Sequence, residues 1–224
     1  MKLLTLLIGI LSTFTSIPGF AQSTLLGFQY RNGRCLNQEN QEGLNTGHFG
    51  ECGQVDGISL PNQLLQPGAR FMGAHLRGTD LRRMVAENAN FERSDLRMIT
   101  LSGADLRGSQ FREALLDGAL LDFGSNLESC NFEGVLARGA NFNSATLRRS
   151  RWTGARLQGS GFRDADLYLT DFTFADLRDS DLRGADLTAA DLFGAQLSGA
   201  FFNPFTRLPF DRSEAYRLGM IFTP

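Results

Sequence analysis

The chain has 224 residues, a formal net charge of -2 at pH 7 and 42% hydrophobic residues, the profile of one ordinary soluble domain with short appendages. So balanced a charge argues against a partner held by global electrostatics, nucleic acid above all.

Residues 1–21 differ from the rest. Lys2 is followed by an apolar run from Leu3 to Ile10 that weakens towards Ile17, and the stretch ends in Pro18-Gly19-Phe20-Ala21 with small residues at its last and third-last positions. This pattern predicts a secretory signal peptide cut before Gln22. A permanent anchor would need about 20 apolar residues, and Ser12, Thr13, Thr15 and Ser16 interrupt the run. The expected mature protein is therefore periplasmic or secreted, without a membrane span.

Residues 22–67 form a loop-rich, polar N-terminal segment holding Cys35 and Cys52. In an exported chain such a pair reads as a disulfide, which in the chain-entropy model stabilises by roughly 3 kcal/mol. The competing metal reading adds His48 as a third ligand but lacks a usual zinc spacing. Val55, Leu60 and Leu65 are five residues apart, so a degenerate repeat can begin here, and the segment would act as a lid.

From 68 to 203 the chain is a repeat. Phe71, Phe91, Phe111, Phe132, Trp152 and Phe172 recur every 20 residues with a single step of 21. Each interval divides into four: Leu76, Leu81 and Ala86 lie between the first two aromatics, and Leu or Phe continues at five-residue steps to Phe202. Two positions before each centre stands a small residue, as at Ala69, Ala74, Ser94, Ala104 and Cys130; Met84, Ile99 and Val135 are the bulky exceptions. A period of five fits neither the 3.6 of a helix nor the 2 of a flat strand. A solenoid with four units per coil remains, centres and small residues pointing inward and the aromatics stacked along one face. About seven coils at the spacing of neighbouring strands make a rod on the order of 33 Å long. Outward residues one coil apart alternate in sign, as in Glu87, Arg107, Glu128 and Arg148, or Arg151 with Asp171 and Arg156 with Asp176, which favours this register.

The units Ala104-Asp105-Leu106-Arg107-Gly108, Ala140-Asn141-Phe142, Ala165-Asp166-Leu167 and Ala185-Asp186-Leu187-Thr188 resemble the A-(D/N)-L-x-x motif of the pentapeptide-repeat family. The resemblance implies an all-β solenoid, a right-handed quadrilateral parallel β-helix, in a family with few enzymes and no shared catalytic residues.

Four features interrupt the regularity. Between Leu121 and Leu127 one residue is inserted within Asp122-Phe123-Gly124-Ser125-Asn126, which predicts a bulge at a corner. Nearby Leu115, Leu120 and Leu136 occupy outward positions; either Phe123 folds over them or, with Phe123, they form an exposed apolar patch suited to a partner. Arg148, Arg149, Arg151 and Arg156 cluster, and Glu128, Asp171 and Asp176 lie one coil from three of them, leaving Arg149 without an obvious partner; a polyanion contact is the competing reading. Asp166, Asp171, Asp176, Asp181, Asp186 and Asp191 occupy successive outward positions, and residues 164–203 carry eight acids against two arginines. Stacked carboxylates could take calcium, but Asp is the ordinary occupant of this position in the family. Cys130, at an inward small position, reads as a buried thiol.

After Asn203 the period breaks at Pro204 and Pro209. Asp211-Arg212-Ser213-Glu214 reads as a capping box opening a short helix that Gly219 closes. The apolar side of residues 204–224, with Leu218, Met220, Ile221 and Phe222, would cap the last coil or serve a dimer contact; the segment also resembles terminal caps of bacterial pentapeptide-repeat proteins.

The two histidines, His48 and His75, lie in different segments, and no nucleophile motif, phosphate-binding loop or metal spacing is present. No cofactor or catalytic activity is expected. The favoured reading is an exported, non-enzymatic rigid binding or scaffolding module, monomeric or dimeric, whose partner is another protein or envelope component. The alternative is a DNA mimic acting on a type II topoisomerase, as the resemblance allows for gyrase-protecting members; the export signal and the confinement of excess acid to the last coils weigh against it.

Overall fold

The computed structural model describes residues 29–31, 34–36, 59, 61, 62, 64, 65 and 67–224. The proposed signal peptide and cleavage site fall outside the described residues. So does Cys52, and with it the Cys35–Cys52 pairing. Two short antiparallel strands, β1 (Gln29–Arg31) and β2 (Arg34–Leu36), place Tyr30 opposite Cys35.

The repeat folds as the spacing predicts. Each five-residue unit gives a flat side of three residues and a corner of two. In the side Ala69-Arg70-Phe71 the first and third residues are buried and Arg70 points outward. The corner closes by a backbone bond from Ala74 N to the Phe71 carbonyl at 3.0 Å, with Gly73 at φ 67. A positive φ at the third residue of such a turn is the type II geometry that favours glycine.

The middle residue of each side bridges in parallel to its counterpart one coil on: Arg70 to Asn90, Asn90 to Gln110, His75 to Asp95, and so on through Asp181 to Phe201. Each bridge rests on two backbone bonds, as where Asn90 N donates to the Ala69 carbonyl (2.8 Å) and Phe71 N donates to the Asn90 carbonyl (2.6 Å). Four bridged sides per coil make the cross-section four-sided.

The interior is a stack of buried side chains. Phe71, Phe91, Phe111, Phe132, Trp152 and Phe172 stack with centroids 4.6, 4.9, 4.7, 4.0 and 5.9 Å apart. A second column from the opposite side, Phe142 over Phe162 at 5.1 Å, meets the first edge-on: Phe142 lies at 84° to Trp152 and Phe162 at 86°. The wide and edge-on contacts suit the ring quadrupoles, and the stacked ones follow the spacing of the coils. Trp152 donates its indole N–H to Ser150 Oγ (2.8 Å), and that hydroxyl donates to the Leu147 carbonyl (2.6 Å). The bulky exceptions Met84, Ile99 and Val135 are fully buried, so the small-residue rule gives way where the facing side chain leaves room.

The register begins upstream where the spacing of Leu60 and Leu65 suggested, and at the downstream end it runs further than the sequence reading placed it. Upstream, Ser59 bridges Asp80 and Leu64 bridges Val85. Downstream, Arg207 bridges Asp186, with Leu208 packed against the core. A six-residue step, from Phe201 to Arg207, accounts for the apparent break at Asn203.

The helix forms as read with Asp211 as its N-cap, while the Glu214 carboxylate pairs with Arg217 and does not close the box. Asp211 accepts from Glu214 N (2.9 Å) at the start of α1 (Arg212–Arg217), and Gly219 at φ 80 follows its end. Ala215 and Met220 join the buried core. The strand β3 (Phe201–Phe202) then pairs in parallel with β4 (Ile221–Phe222), one rung beyond the repeat.

Removing an interior ring opens a void that coils on both sides must span. Trp152→Ala is expected to lower unfolding free energy by about 3–5 kcal/mol in denaturant titration. Ser150→Ala, which strands the indole N–H, should cost about 1–3 kcal/mol.

Candidate functional site

The inserted residue near 122 produces a built corner. Asp122, itself buried, accepts from Asn141 Nδ2 (2.8 Å) and from the Ser102 hydroxyl. Ser125 Oγ donates to the Leu101 carbonyl (3.0 Å) and accepts from Gly103 N (3.0 Å). Between these two anchors Phe123 sits at φ 51 and is 82% exposed.

The same construction recurs four coils on. Thr206 Oγ1 donates to the Leu182 carbonyl (3.0 Å) and accepts from Gly184 N (3.1 Å), Asn203 replaces the aspartate, and Phe205 is 78% exposed. Each extra residue lifts a phenylalanine off the same corner. A short polar side chain followed three positions later by Ser or Thr was the signal for both, and only the first had been singled out in the sequence.

Phe123 therefore does not fold over the neighbouring leucines. Leu115 and Leu136 bridge to each other one coil apart and are half-buried, while Leu120 on the adjoining side is 39% exposed. Met98, also exposed, lies over Gly118 at the corner between those sides. Leu115, Leu136, Met98, Leu120 and Phe123 thus lie on two adjoining sides of the rod and their corners, with the Asp117–Arg138 ion pair at the corner between Leu115 and Leu120. Met98 had escaped notice because its corner position is read as a turn residue.

Three of the four clustered arginines face a carboxylate, two of them a different one from that the spacing suggests. Arg149 pairs with Glu128 at 3.0 Å, correcting the expectation that it lacks a partner. Arg148 reaches Asp166 at 3.5 Å and lies over the Tyr168 ring. Arg151 faces Asp171 at 3.9 Å, but Asp176 pairs with Arg178 (2.6 Å), so Arg156 makes no ion pair among the described residues. Elsewhere some pairs run within a unit, as from Arg97 to Asp95 and Arg82 to Asp80, and others from coil to coil, as from Arg93 to Glu113. Cys130 is buried, donates to the Leu106 carbonyl and has its thiol pushed up to about 12 by burial.

Among the described residues no group of three His, Cys, Asp or Glu side chains converges in metal-holding geometry, and no helix is long and apolar enough to cross a membrane. A shallow open depression beside α1 is lined by Phe210, Asp211, Ser213, Glu214 and Arg217. Asp211 already caps the helix there, and Glu214 pairs with Arg217.

Two measurements check this description. Ser125→Ala and Thr206→Val each remove the hydroxyl that pins a bulge, and each should cost about 1–3 kcal/mol in thermal or chemical unfolding. For pH, the hydrogen-bonded guanidinium of Arg97 holds the Asp95 carboxyl below its ordinary 3.8, and Arg178 does the same for Asp176, with burial opposing both. Carboxyls so depressed contribute stability that is complete above about pH 4 and lost as pH falls through the lowered values. The melting temperature should therefore hold between about pH 7 and 5 and fall below about pH 4, with a smaller fall in Asp176→Asn.

Comparison with known proteins agrees with this architecture. The family model for pentapeptide repeats matches in eight copies, over 69–108, 87–122, 123–151, 138–173 and 170–203. No curated protein matches the chain. Among solved structures, the pentapeptide repeat protein HetL of Nostoc sp. strain PCC 7120, involved in heterocyst differentiation regulation, is 24% identical over 66% of this chain and 88% of its own, with a TM-score of 0.25. Full-length QnrB1, a plasmid-mediated fluoroquinolone resistance protein, is 18% identical over 65% of this chain and 76% of its own, with a TM-score of 0.37. A pentapeptide repeat protein of the Arabidopsis thaliana thylakoid lumen is 24% identical over 51% of this chain and 73% of its own, with a TM-score of 0.27. The family match spans residues 69–203, more than half of the sequence, and the chain belongs to the pentapeptide-repeat family, whose members form right-handed quadrilateral β-helices.

Proposed function

We propose that this protein is an exported, non-enzymatic binding or scaffolding module, and that the apolar belt of Leu115, Leu120, Leu136 and Phe123 is a docking surface for another protein or envelope component. The observation that carries this is the pinned bulge: buried Asp122 and Ser125 hold Phe123 in solvent at positive φ. A large apolar side chain kept exposed in a backbone conformation that disfavours it returns nothing to folding. Its use lies in contact with something else.

The rest of the assignment follows from the sequence and the ends of the rod. The leader directs the chain out of the cytoplasm, and a Cys35–Cys52 disulfide fits that compartment. The rod is about seven coils long; the N-terminal segment would serve as its lid, and residues 204–224 are its C-terminal cap, covering part of an end that would otherwise add strands. A DNA-like surface would need free acid along the whole rod. Here Asp80, Asp95, Asp105 and Asp117 are each paired with arginine, which disfavours the topoisomerase alternative.

Leu115→Glu with Leu136→Glu should abolish in-cell crosslinking from a photo-reactive side chain placed at residue 120, while the melt stays cooperative. Undiminished crosslinking to the same species would refute the belt. Intact-mass measurement of the native protein should show a species starting at Gln22 that gains about two mass units on reduction. A full-length, reduced cytoplasmic species would overturn both export and disulfide, and inhibition assays with purified gyrase would then come first.

A further inference from the structure

On the side of the rod that carries the aromatic column, the last rung is left open. One coil earlier, the Thr170 carbonyl accepts from Asp191 N (2.8 Å) and Phe172 N donates to the Asp191 carbonyl (2.8 Å). At the last rung the equivalent groups, the Ala190 carbonyl and the Leu192 N–H, have no partner among the described residues. The C-terminal segment continues the stack elsewhere: β4 pairs with β3, and Arg207 bridges Asp186. Leu192 is accordingly only half-buried, unlike Phe172 beneath it, which is fully buried.

The side chains around this edge are of two kinds. Asp191 is exposed, takes one hydrogen bond, from Phe193 N (2.9 Å), and makes no ion pair among the described residues. It stacks directly on Asp171, whose nearest arginine, Arg151, lies at 3.9 Å on the far side. Like charges on successive rungs repel, and a cation on the next rung would relieve them. Beside them Phe174 and Phe193, 59% and 70% exposed, meet edge-on at 5.6 Å. Phe174 stands at φ 58, where the chain often uses glycine, and its ring lies over Gly194, where any Cβ would collide with it.

We infer that this edge accepts an extended basic segment of a partner protein as one more rung, with an Arg or Lys over Asp191 and a large apolar residue over Leu192 and Phe193. The cationic residue's backbone N–H would donate to the Ala190 carbonyl, and its own carbonyl would accept from Leu192 N–H, the addition of a strand to an open edge. The chain already contains the required pattern: Ser150-Arg151-Trp152 presents small, basic and large apolar residues against Asp171 in the next coil. The Phe174–Phe193 pair adds a surface for the stem and charge of the basic side chain. This inference is independent of the apolar belt, which lies on other sides of the rod.

The test is fluorescence anisotropy of the full chain with a fluorescein-labelled peptide, Ala-Arg-Leu-Thr-Gly-Ala-Arg-Leu-Thr-Gly. Three altered peptides accompany it: Glu for Arg, Ser for Leu, and the original methylated at the backbone nitrogen of both Arg residues. The expected result is saturable binding of the first, weakened at least about tenfold by each alteration. Asp191→Arg, at an exposed outward position, should reverse the preference between the Arg and Glu peptides, and Phe193→Ser should weaken the Arg peptide by about tenfold. Circular dichroism melts superimposing on the parent exclude misfolding as the cause. Absent binding, indifference to backbone methylation, or an unreversed preference in Asp191→Arg overturns the inference. So does sedimentation showing a dimer of the parent that Asp191→Arg dissociates, since the occupant would then be a second copy.

Discussion

The structure depends on one repeated constraint, the backbone bond pair that ties each flat side to the side one coil above. Because Asn90 N reaches back to Ala69 and Phe71 N reaches forward to Asn90, the outward residue sits between two bonds, and its neighbours on either side must point inward. Two inward positions in five follow, and so does the pairing of a large with a small residue, since four sides meet in a narrow interior. The aromatic column is a consequence of that register. Rings one coil apart lie near the coil spacing, and at the wider step from Trp152 to Phe172 the Phe162 ring meets both edge-on.

Among the described residues the sides of the rod are flat and its core is filled. Its functional variety must come from departures: an extra residue at a corner, an apolar residue at an outward position, or an edge left unpaired. The structure supplies each in turn. The two bulges carrying Phe123 and Phe205 are pinned by the same hydroxyl-to-carbonyl and amide-to-hydroxyl bonds, although Phe123 is the first corner residue, at positive φ, and Phe205 the second. Leu115 and Leu136 cover an outward strip where other coils carry His75, Asp95, Arg156, Asp176 and Gln196. The side of Asp171 and Asp191 ends without a partner for its last rung.

Electrostatics follows the same logic. An outward carboxylate on a flat side lies within reach of an arginine two residues later, which is why Asp80, Asp95, Asp176 and Asp181 pair with Arg82, Arg97, Arg178 and Arg183 inside their own units. Coil-to-coil pairs form where a corner residue offers a longer reach, as from Arg149 to Glu128 and Arg138 to Asp117. Asp191 stands outside both arrangements, since its unit continues with Phe193 where others place arginine.

The five-residue spacing determined the solenoid, the identity of the inward residues and the aromatic column, and the local pattern from Asp211 to Gly219 determined the capped C-terminal helix, because each is a local or strictly periodic consequence of backbone geometry. The spacing also located the corner insertion and the outward leucines. What it could not determine was the direction of Phe123, since folding inward and projecting outward preserve the same spacing; the hydrogen bonds of Asp122 and Ser125 decided it. Nor could it choose between Arg148 and Arg149 as the partner of Glu128, because neighbouring corner residues differ by a rotation and not by a count. The second bulge near Phe205 was hidden by two prolines that read as an end of the repeat. The open rung at Leu192 was invisible for a deeper reason: which edge stays unpaired depends on where the C-terminal segment crosses the last coil, and only the tertiary structure holds that path.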